Sequence, residues 1–322
     1  MKAIVATKYG PPDVLQLKDV EKPTPKDDEV LIKIQAASLN AYDWHLLTAD
    51  IFLVRLMGGG FLKPKNKIPG ADIAGRVEAV GRNVTQFEPG DDIFGDIGHG
   101  GFAEYACAGE DRLAIKPAYL SFEEAAAVPM AALTALQGLR DKGRIQPGQK
   151  VLINGASGGV GTFAVQIAKS FGAEVTAVCS TGKMDMARTI GADRVIDYTK
   201  EDFTKNGTHY NLIFAANGYH PILDYRRALS AKGIYVMAGG TKAQIFQAML
   251  LGPWISLAGS KKTRGVSANV NQKDLVYIKG LLEAGKIKPV IDRRYLLSEV
   301  PEALRYLGDG HARGKVAISI ES

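Results

Sequence analysis

Residues 151–161 read Val151-Leu152-Ile153-Asn154-Gly155-Ala156-Ser157-Gly158-Gly159-Val160-Gly161. An apolar run of strand length leads directly into a glycine-rich turn, and residues 162–171 continue with helical spacing. Glycines allow such a turn to be tight and let backbone N–H groups approach a pyrophosphate at the positive end of the following helix. We interpret the stretch as the phosphate loop of a dinucleotide-binding unit. A generic turn between a strand and a helix is the alternative.

Strand-like runs recur after this loop at intervals of roughly twenty residues, with helix-length segments between them. Parallel strands joined by helical crossovers form a doubly wound sheet. The pattern therefore predicts an α/β protein with a Rossmann domain. Its parallel sheet has six strands, which we place at residues 150–154, 174–178, 194–197, 211–215, 233–238 and 255–259.

Short strands separated by Gly and Pro characterise the chain before residue 121. We place the main ones at residues 30–36, 72–80, 92–94 and 102–108. A helix at 273–284 and a strand at 314–319 follow the Rossmann domain, and we expect this strand to rejoin the first domain. The predicted domains are a mainly β catalytic domain of residues 1–121 and 270–322, and a cofactor domain of residues 122–269.

The end of the second predicted Rossmann strand indicates which dinucleotide binds. NAD enzymes place an Asp or Glu there for the ribose 2′-hydroxyl, whereas this chain has Ser180, Thr181 and Lys183. Hydroxyl groups and an ammonium group suit a 2′-phosphate instead. The sequence thus favours NADPH over NADH. A solvated lysine at the start of the next helix is the alternative for Lys183.

Composition narrows the class of protein further. The net charge of +6 suits an anionic cofactor, but the basic residues are spread too evenly to indicate nucleic-acid binding. Two cysteines, Cys107 and Cys179, cannot form a disulfide framework. Met1 leads directly into a strand-like run with no signal-peptide pattern, so we expect a cytoplasmic protein.

Two apolar segments, residues 51–57 and 245–251, have several interpretations. The longer apolar stretch, 245–258, contains Gly252 and Pro253 and is shorter than the roughly twenty residues of a membrane span. The segments could line a pocket for a lipid-like substrate, or make weak peripheral contact with an anionic membrane through flanking lysines. Packing between domains or subunits is the third interpretation.

Several motifs together resemble the medium-chain dehydrogenase/reductase superfamily, over essentially the whole chain. Within that superfamily the chain is similar to the quinone oxidoreductase branch and to plant alkenal reductases. The resemblance implies a GroES-like catalytic domain, a small-molecule electron acceptor that is a quinone or an enone, and a homodimer. The motifs that carry it are the phosphate loop and residues 9–12, 38–44, 69–75, 128–136, 216–218 and 309–315.

Zinc ligands of that superfamily are missing at the matching positions. Zinc-dependent members use a Cys and the His of a Gly-His-Glu motif, whereas this chain has Asn40 and Gly70-Ala71-Asp72. Zinc prefers thiolate and imidazole ligands, and two isolated cysteines cannot supply a site. We therefore expect no zinc and no other metal.

The resemblance also implies which residues contact the cofactor. Each has a structural alternative, such as a turn residue or a solvated charge. The resemblance implies the cofactor residues Thr134, Tyr198, Asn217, Ala238, Gly239, Arg313 and Gly314. They add to the loop residues Ser157, Gly158, Gly159 and Val160, and to Ser180, Thr181 and Lys183.

Hydride transfer to a quinone or an enone places negative charge on the substrate oxygen, so a site without metal needs hydrogen-bond donors. Asn40 and Tyr42 are the candidate catalytic donors. His45 is a third candidate, at a position where the resembling reductases carry Lys. Asn40 could instead be a turn residue, and Asp43 the N-cap of a helix that starts near Trp44.

The leading hypothesis is thus an NADPH-dependent, zinc-independent oxidoreductase acting on quinones or α,β-unsaturated carbonyl compounds. An NADPH-binding regulatory or structural protein with little turnover is the rival from another class. A conventional alcohol dehydrogenase is a third hypothesis, which the missing zinc ligands disfavour.

Overall fold

The computed structural model describes residues 1–49, 60, 63–218, 220–240, 244, 247 and 260–321. The contacts between residues divide the chain into two compact units. The first unit comprises Met1–Met130, Val270–Glu283 and Pro289–Ser322, and the second comprises Ala131–Asn269 and Ala284–Lys288.

The strands are, in chain order, β1 (Lys2–Ala6), β2 (Leu15–Asp19), β3 (Glu29–Leu39), β4 (Asp72–Val80), β5 (Asp92–Asp96), β6 (Tyr105–Gly109), β7 (Leu113–Ile115), β8 (Lys150–Asn154), β9 (Glu174–Cys179), β10 (Arg194–Asp197), β11 (Tyr210–Ala215), β12 (Leu229–Met237), β13 (Lys262–Gly265), β14 (Ile291–Leu296) and β15 (Lys315–Ser319). The helices are α1 (Ala41–Thr48), α2 (Phe122–Ala126), α3 (Pro129–Gln137), α4 (Gly159–Ser170), α5 (Met184–Thr189), α6 (Ile222–Ala228), α7 (Gln272–Glu283) and α8 (Val300–Gly308).

The first unit is built on a seven-stranded sheet in which the strands follow the order β14-β15-β3-β4-β5-β7, with β6 paired to β3. The strand at the end of the chain, β15, pairs antiparallel with β3 and so rejoins this unit, as the sequence predicts. Apolar residues of the strands, such as Ile32, Ile73 and Val316, form the core. Helix α2 packs on β3 and β4, which explains why this unit extends beyond residue 121.

The second unit contains a parallel sheet of six strands in the order β10-β9-β8-β11-β12-β13. This order is that of a Rossmann fold, which confirms the predicted fold class. Val151, Leu152 and Ile153 of β8 are fully buried, as expected for a central strand covered on both faces. The predicted strand at 255–259 lies outside the described residues, and the sixth strand of the sheet is β13.

Because the strands run parallel, their carboxyl ends meet at one edge of the sheet. Asn154, Cys179, Asp197, Ala215 and Met237 end their strands there. The phosphate loop and most predicted cofactor residues follow these ends directly. The fold of the second unit therefore gathers residues that are far apart in the sequence.

Among the described residues, no helix has the length and apolar character needed to cross a membrane. The apolar segments 51–57 and 245–251 lie outside the described residues, apart from Gln247. The three interpretations of these segments stay predictions.

Candidate functional site

The phosphate loop begins at the carboxyl end of β8 with a position that only glycine can occupy. Gly155 has φ +77°, and a Cβ atom there would lie 2.7 Å from the backbone nitrogen of Asn217. A Cβ atom on Gly161 would lie 2.1 Å from the carbonyl oxygen of Gly155. These two positions thus require glycine, because a side chain would collide with backbone.

Gly158 plays a different part in the same loop. It precedes helix α4, and its carbonyl oxygen accepts the first helical bond from the N–H of Thr162 at 2.9 Å. A Cβ atom there would have only one neighbour within 4 Å, the Gly155 oxygen at 3.8 Å. Space is therefore available above the start of α4, where the helix dipole favours an anion. Gly158, Gly159 and Val160 are partly exposed there, and Ser157 is buried. These residues fit a pyrophosphate.

The ends of β9 and β10 form the neighbouring part of the site. The N–H of Tyr198 donates to the Cys179 carbonyl at 3.1 Å, which brings Tyr198 beside the turn that follows β9. Ser180 and Lys183 are partly exposed in that turn, and Tyr198 is 59% exposed. No carboxylate lies between Ser180 and Lys183, and a serine hydroxyl and a lysine ammonium are groups that can donate hydrogen bonds to a phosphate.

Thr181 has a structural contact that the sequence did not reveal. Its hydroxyl donates to the buried carboxylate of Asp197, which also accepts from the backbone N–H and the hydroxyl of Thr199 at 3.0 and 2.7 Å. Hydrogen bonds from Thr181 and Thr199 lower the pKa of Asp197. The hydroxyl proton of Thr181 is thus used by Asp197 and is not available to a phosphate.

Three further predicted cofactor residues lie at the same edge of the sheet. The Asn217 N–H donates to the Asn154 carbonyl at 3.3 Å, next to the loop. Ala238 and Gly239 donate through their N–H groups to the Ala215 carbonyl at 2.9 and 3.2 Å. Thr134 is half-buried on helix α3.

Arg313 and Gly314 belong to the first unit. The N–H of Arg313 donates to the Asp292 carboxylate at 2.9 Å. Gly314 has φ +104°, and a Cβ atom there would lie 2.2 Å from the carbonyl oxygen of Val290. Gly314 is thus required by the bend before β15, whatever else it contacts.

Asn40 lies in a buried cluster of charges in the first unit. Its Nδ2 donates to Oδ2 of Asp72 at 2.9 Å, and its Oδ1 accepts from Nζ of Lys315 at 2.5 Å. The Lys315 ammonium also contacts Asp72 Oδ2 at 3.3 Å. We call Asn40, Asp72 and Lys315 the buried triad; their exposed fractions are 8%, 0% and 3%.

Strand register explains how Asp72 reaches this position. Ser38 of β3 pairs with Asp72 of β4, which pairs with Asp96 of β5. The hydroxyl of Ser38 contacts Asp72 Oδ2 at 3.4 Å, and the N–H of Met130 donates to Oδ1 at 3.0 Å. Both carboxylate oxygens of Asp72 are thus hydrogen-bonded, as a buried charge requires.

The interpretation of Asp43 as an N-cap near Trp44 is wrong. Helix α1 begins at Ala41, and Asn40 is the residue that precedes it. Oδ2 of Asp43 reaches back to accept the N–H of Asn40 at 2.8 Å. An acidic residue in the first helical turn satisfies the same backbone donors from inside the helix. Asp43 therefore fixes the start of α1.

Burial dominates the protonation of the carboxyl groups near the triad. Burial, opposed by the hydrogen bond from the Asn40 N–H and assisted by the nearby Asp72 carboxylate, raises the pKa of Asp43 to about 7. Burial and the same neighbour raise the pKa of Asp96 to about 7. Burial also raises the pKa of Asp72, while Lys315 and the hydrogen bonds from Asn40 and Met130 oppose that rise. The protonation of Asp43 and Asp96 thus changes with pH near neutrality.

Tyr42 faces a cavity of about 330 Å³ in the first unit. It is 43% exposed, and burial followed by the Asp43 and Asp96 charges raises its pKa. Burial and then Arg112 lower the pKa of His99, which also lines the cavity. The phenol is thus protonated and the imidazole neutral near pH 7. The remaining lining is largely apolar: Ala6, Tyr9, Leu46, Leu47, Pro64, Lys65, Asn66, Ile68, Pro69, Gly70 and Gly98.

The three predicted catalytic residues have different surroundings in the structure. Tyr42 lines this cavity, Asn40 lies in the buried triad, and His45 is half-buried on α1 and is not part of the cavity lining. Sequence reasoning missed Asp72 and Lys315 as members of one cluster. The available signal was a charge beside a buried run, because Lys315 directly precedes Val316-Ala317-Ile318.

Within the described parts of the chain, no three His, Cys, Asp or Glu side chains are grouped in a way that could hold a metal ion.

Comparisons with known proteins agree with this architecture. Residues 26–118 match the alcohol dehydrogenase GroES-like domain family, and residues 190–318 match the zinc-binding dehydrogenase family. The 2-methylene-furan-3-one reductase of Solanum lycopersicum is 36% identical over 99% of this chain and 79% of its own length. The NADPH-dependent alkenal/one oxidoreductase of Arabidopsis thaliana is 33% identical over the same shares.

A solved structure, the quinone oxidoreductase from Coxiella burnetii, superposes with a TM-score of 0.88. It is 30% identical in sequence, and the match covers 100% of this chain and 99% of that one. Identity at this level over the whole chain, together with the two domain matches, shows that the protein is an oxidoreductase of the medium-chain dehydrogenase/reductase family, in its quinone oxidoreductase branch.

Proposed function

We propose that this enzyme uses NADPH to reduce a quinone or the carbon–carbon double bond of an α,β-unsaturated carbonyl compound. The observation that carries the proposal is the cavity of the first unit, which surrounds Tyr42 and His99 with largely apolar residues. Such a cavity suits an uncharged acceptor with one polar end. The names of the tomato, Arabidopsis and Coxiella relatives support the same two acceptor classes.

NADPH is favoured as the cofactor by the second unit. The loop at Gly155–Gly161 fits a pyrophosphate, and Ser180 and Lys183 occupy the place where an NAD enzyme needs a carboxylate. When bound, the cofactor supplies the hydride. We extend the proposal to the predicted cofactor residues Tyr198, Asn217 and Gly239, which lie at the same sheet edge.

Residues of the first unit would stabilise the negative charge on the acceptor oxygen and transfer the proton. Reduction leaves negative charge on the acceptor oxygen, and donors aimed at that oxygen stabilise it. Tyr42 is a phenol whose raised pKa keeps it protonated near pH 7, so it can donate to that oxygen. Asn40 is the second donor in the proposal, and a neutral His99 can donate or accept as the acceptor requires.

We also propose that the reaction needs no zinc. Oδ1 of Asn40 accepts from the Lys315 ammonium at 2.5 Å, so a zinc ion at that oxygen would meet a positive charge. Elemental analysis of the purified protein tests this point. Stoichiometric zinc would contradict it.

NADPH oxidation with a panel of quinones, 2-alkenals and longer enones tests the proposed function. We expect turnover with at least one class and a much lower kcat/KM with NADH. NADPH binding without turnover of any acceptor would favour the regulatory or structural alternative. Oxidation of simple alcohols with NADP⁺ and no reduction of enones or quinones would favour an alcohol dehydrogenase.

A further inference from the structure

The buried triad brings together the ends of three segments of the first unit. Lys315 begins β15, Asp72 begins β4, and Asn40 follows β3 directly. Ser38 pairs with both Ala317 and Asp72, so the sheet register holds these segments side by side. The three side chains are therefore placed by the sheet, although 243 residues separate Asp72 from Lys315.

The hydrogen bonds of the triad form a closed ring. Lys315 Nζ donates to Asn40 Oδ1 and contacts Asp72 Oδ2, and Asn40 Nδ2 donates to the same Asp72 oxygen. An ammonium group only donates, and a carboxylate only accepts. A flipped Asn40 amide would set N–H against the ammonium and oxygen against the carboxylate. The ring thus permits one orientation of the amide.

This orientation leaves part of the amide available. Nδ2 carries two hydrogens, and one is used by Asp72. No described residue accepts the other hydrogen. Asn40 keeps 8% of its surface exposed, two positions before Tyr42, although it is not itself part of the cavity lining. The Asn40 N–H donates to Asp43 in the first turn of α1. Tyr42 of the same turn lines the cavity, so Asn40 is tied to the helical turn that carries Tyr42.

We infer that Lys315 and Asp72 are positioning residues that hold the Asn40 amide in the one orientation that offers an N–H to the carbonyl oxygen of the acceptor. This inference rests on the proposed function, because it assigns the donor to the acceptor of that reaction. Neither residue contacts the substrate. Their removal is expected to lower kcat and to leave the Kd for NADPH unchanged.

Two variants separate positioning from a merely structural role. Lys315→Met leaves Asp72 buried without its cation and is expected to lower Tm by several degrees. The double variant Lys315→Met/Asp72→Leu removes both charges and is expected to recover part of that loss. We expect kcat to stay about ten- to a thousandfold below wild type in both, as for a missing oxyanion donor. Recovery of kcat along with Tm in the double variant would overturn the inference.

A measurement without turnover keeps the inference testable if either variant fails to fold. The side-chain amide signals of Asn40 are assigned in ¹⁵N-labelled protein by their loss in Asn40→Ala. A saturated ketone such as 2-heptanone, added without NADPH, offers a carbonyl oxygen that is not reduced. We expect one amide hydrogen to exchange slowly because of Asp72 and the other to shift on addition of the ketone.

The outcomes distinguish this inference from the proposed function. Turnover of enones or quinones without a ketone-dependent shift at Asn40 would overturn the donor assignment alone. A shift at Asn40 without turnover of any acceptor would contradict the proposed function and support the assignment. Absence of both would overturn both.

Discussion

The two units present their polar groups in opposite ways. In the second unit, the phosphate loop offers backbone N–H groups, and its geometry depends on small volume at Gly155 and Gly161. In the first unit, Asp72 and Lys315 are almost completely buried side chains whose charges compensate each other. Added volume at Gly155 or Gly161 of the loop and altered charge in the triad should therefore each lower the free energy of unfolding. Substitutions that add volume to the loop or change a charge of the triad test this difference.

The largest expected effect is on the triad. Lys315→Met should lower the free energy of unfolding by about 3–5 kcal/mol, because a buried carboxylate loses its cation. Lys2→Met is a matched control, since Lys2 and Asp19 form a 3.9 Å pair with side chains 57% and 82% exposed. An exposed pair contributes about 0–1 kcal/mol. Urea unfolding measures both, and equal effects would contradict the contrast between the two pairs.

The next largest effect is expected from side-chain volume added to the phosphate loop. Gly161→Ala should lower the free energy of unfolding by about 1–3 kcal/mol, because its Cβ would meet the Gly155 carbonyl at 2.1 Å. Gly158→Ala should leave stability nearly unchanged, since its nearest contact would be 3.8 Å, and yet weaken NADPH binding by occupying the space above α4. Thermal unfolding and NADPH fluorescence titration measure the two quantities. Unchanged NADPH affinity in Gly158→Ala would exclude that space as the phosphate site.

Charge beside the loop should alter cofactor choice. Lys183→Glu should lower the preference for NADPH over NADH by about ten- to a hundredfold, as for one charge-assisted hydrogen bond. Lys232→Glu carries the same charge change on β12, where Lys232 is exposed, and serves as the control. The ratio of kcat/KM for the two cofactors is the measurement. A preference that changes equally in both variants would point to net charge instead of a local contact.

The smallest effect concerns pH. The folded-state pKa of Asp43 is about 7, above its ordinary value of 3.8, so the folded protein binds more protons between these values. Its contribution to stability is therefore complete below about pH 4 and falls as pH rises to 7. Asp43→Asn should reduce the decline in stability between pH 6 and 7 by about 1 kcal/mol.

Asp96 keeps part of this slope in the variant, since burial raises its pKa in the same way, and the charges of Asp72 and Lys315 remain beside both groups. Asp19→Asn, at an exposed site, provides the control. Urea unfolding at several pH values gives the comparison. An unchanged slope in Asp43→Asn would show that Asp43 does not titrate in this range.

The same contrast explains what could be predicted from the sequence. The phosphate loop and strands β8 to β11 are contiguous patterns, so local spacing was sufficient to find them. Strand β13 is Lys262-Thr263-Arg264-Gly265, an edge strand with no apolar run, and periodicity could not reveal it. Asn40 and Tyr42 could be named as candidates because a site without metal needs hydrogen-bond donors.

Long-range pairs could not be predicted in this way. Lys315 and Asp72 meet only because β15 and β4 both flank β3, and nothing local in either segment indicates the other. The side chain of Asn40 was predicted to act on a substrate, and its contacts with this pair became visible only in the fold. Likewise, the bond from Thr181 to Asp197 depends on the pairing of β9 with β10.

We propose above all that this protein transfers hydride from NADPH to a quinone or an enone. The most direct test uses NADPH deuterated at the transferred position of its nicotinamide ring, with an α,β-unsaturated ketone as acceptor. Mass spectrometry and NMR of the product are expected to show one deuterium at the β-carbon, with the α-hydrogen taken from solvent. Saturated product without that deuterium, or NADPH bound and never oxidised with any enone or quinone, would contradict the account.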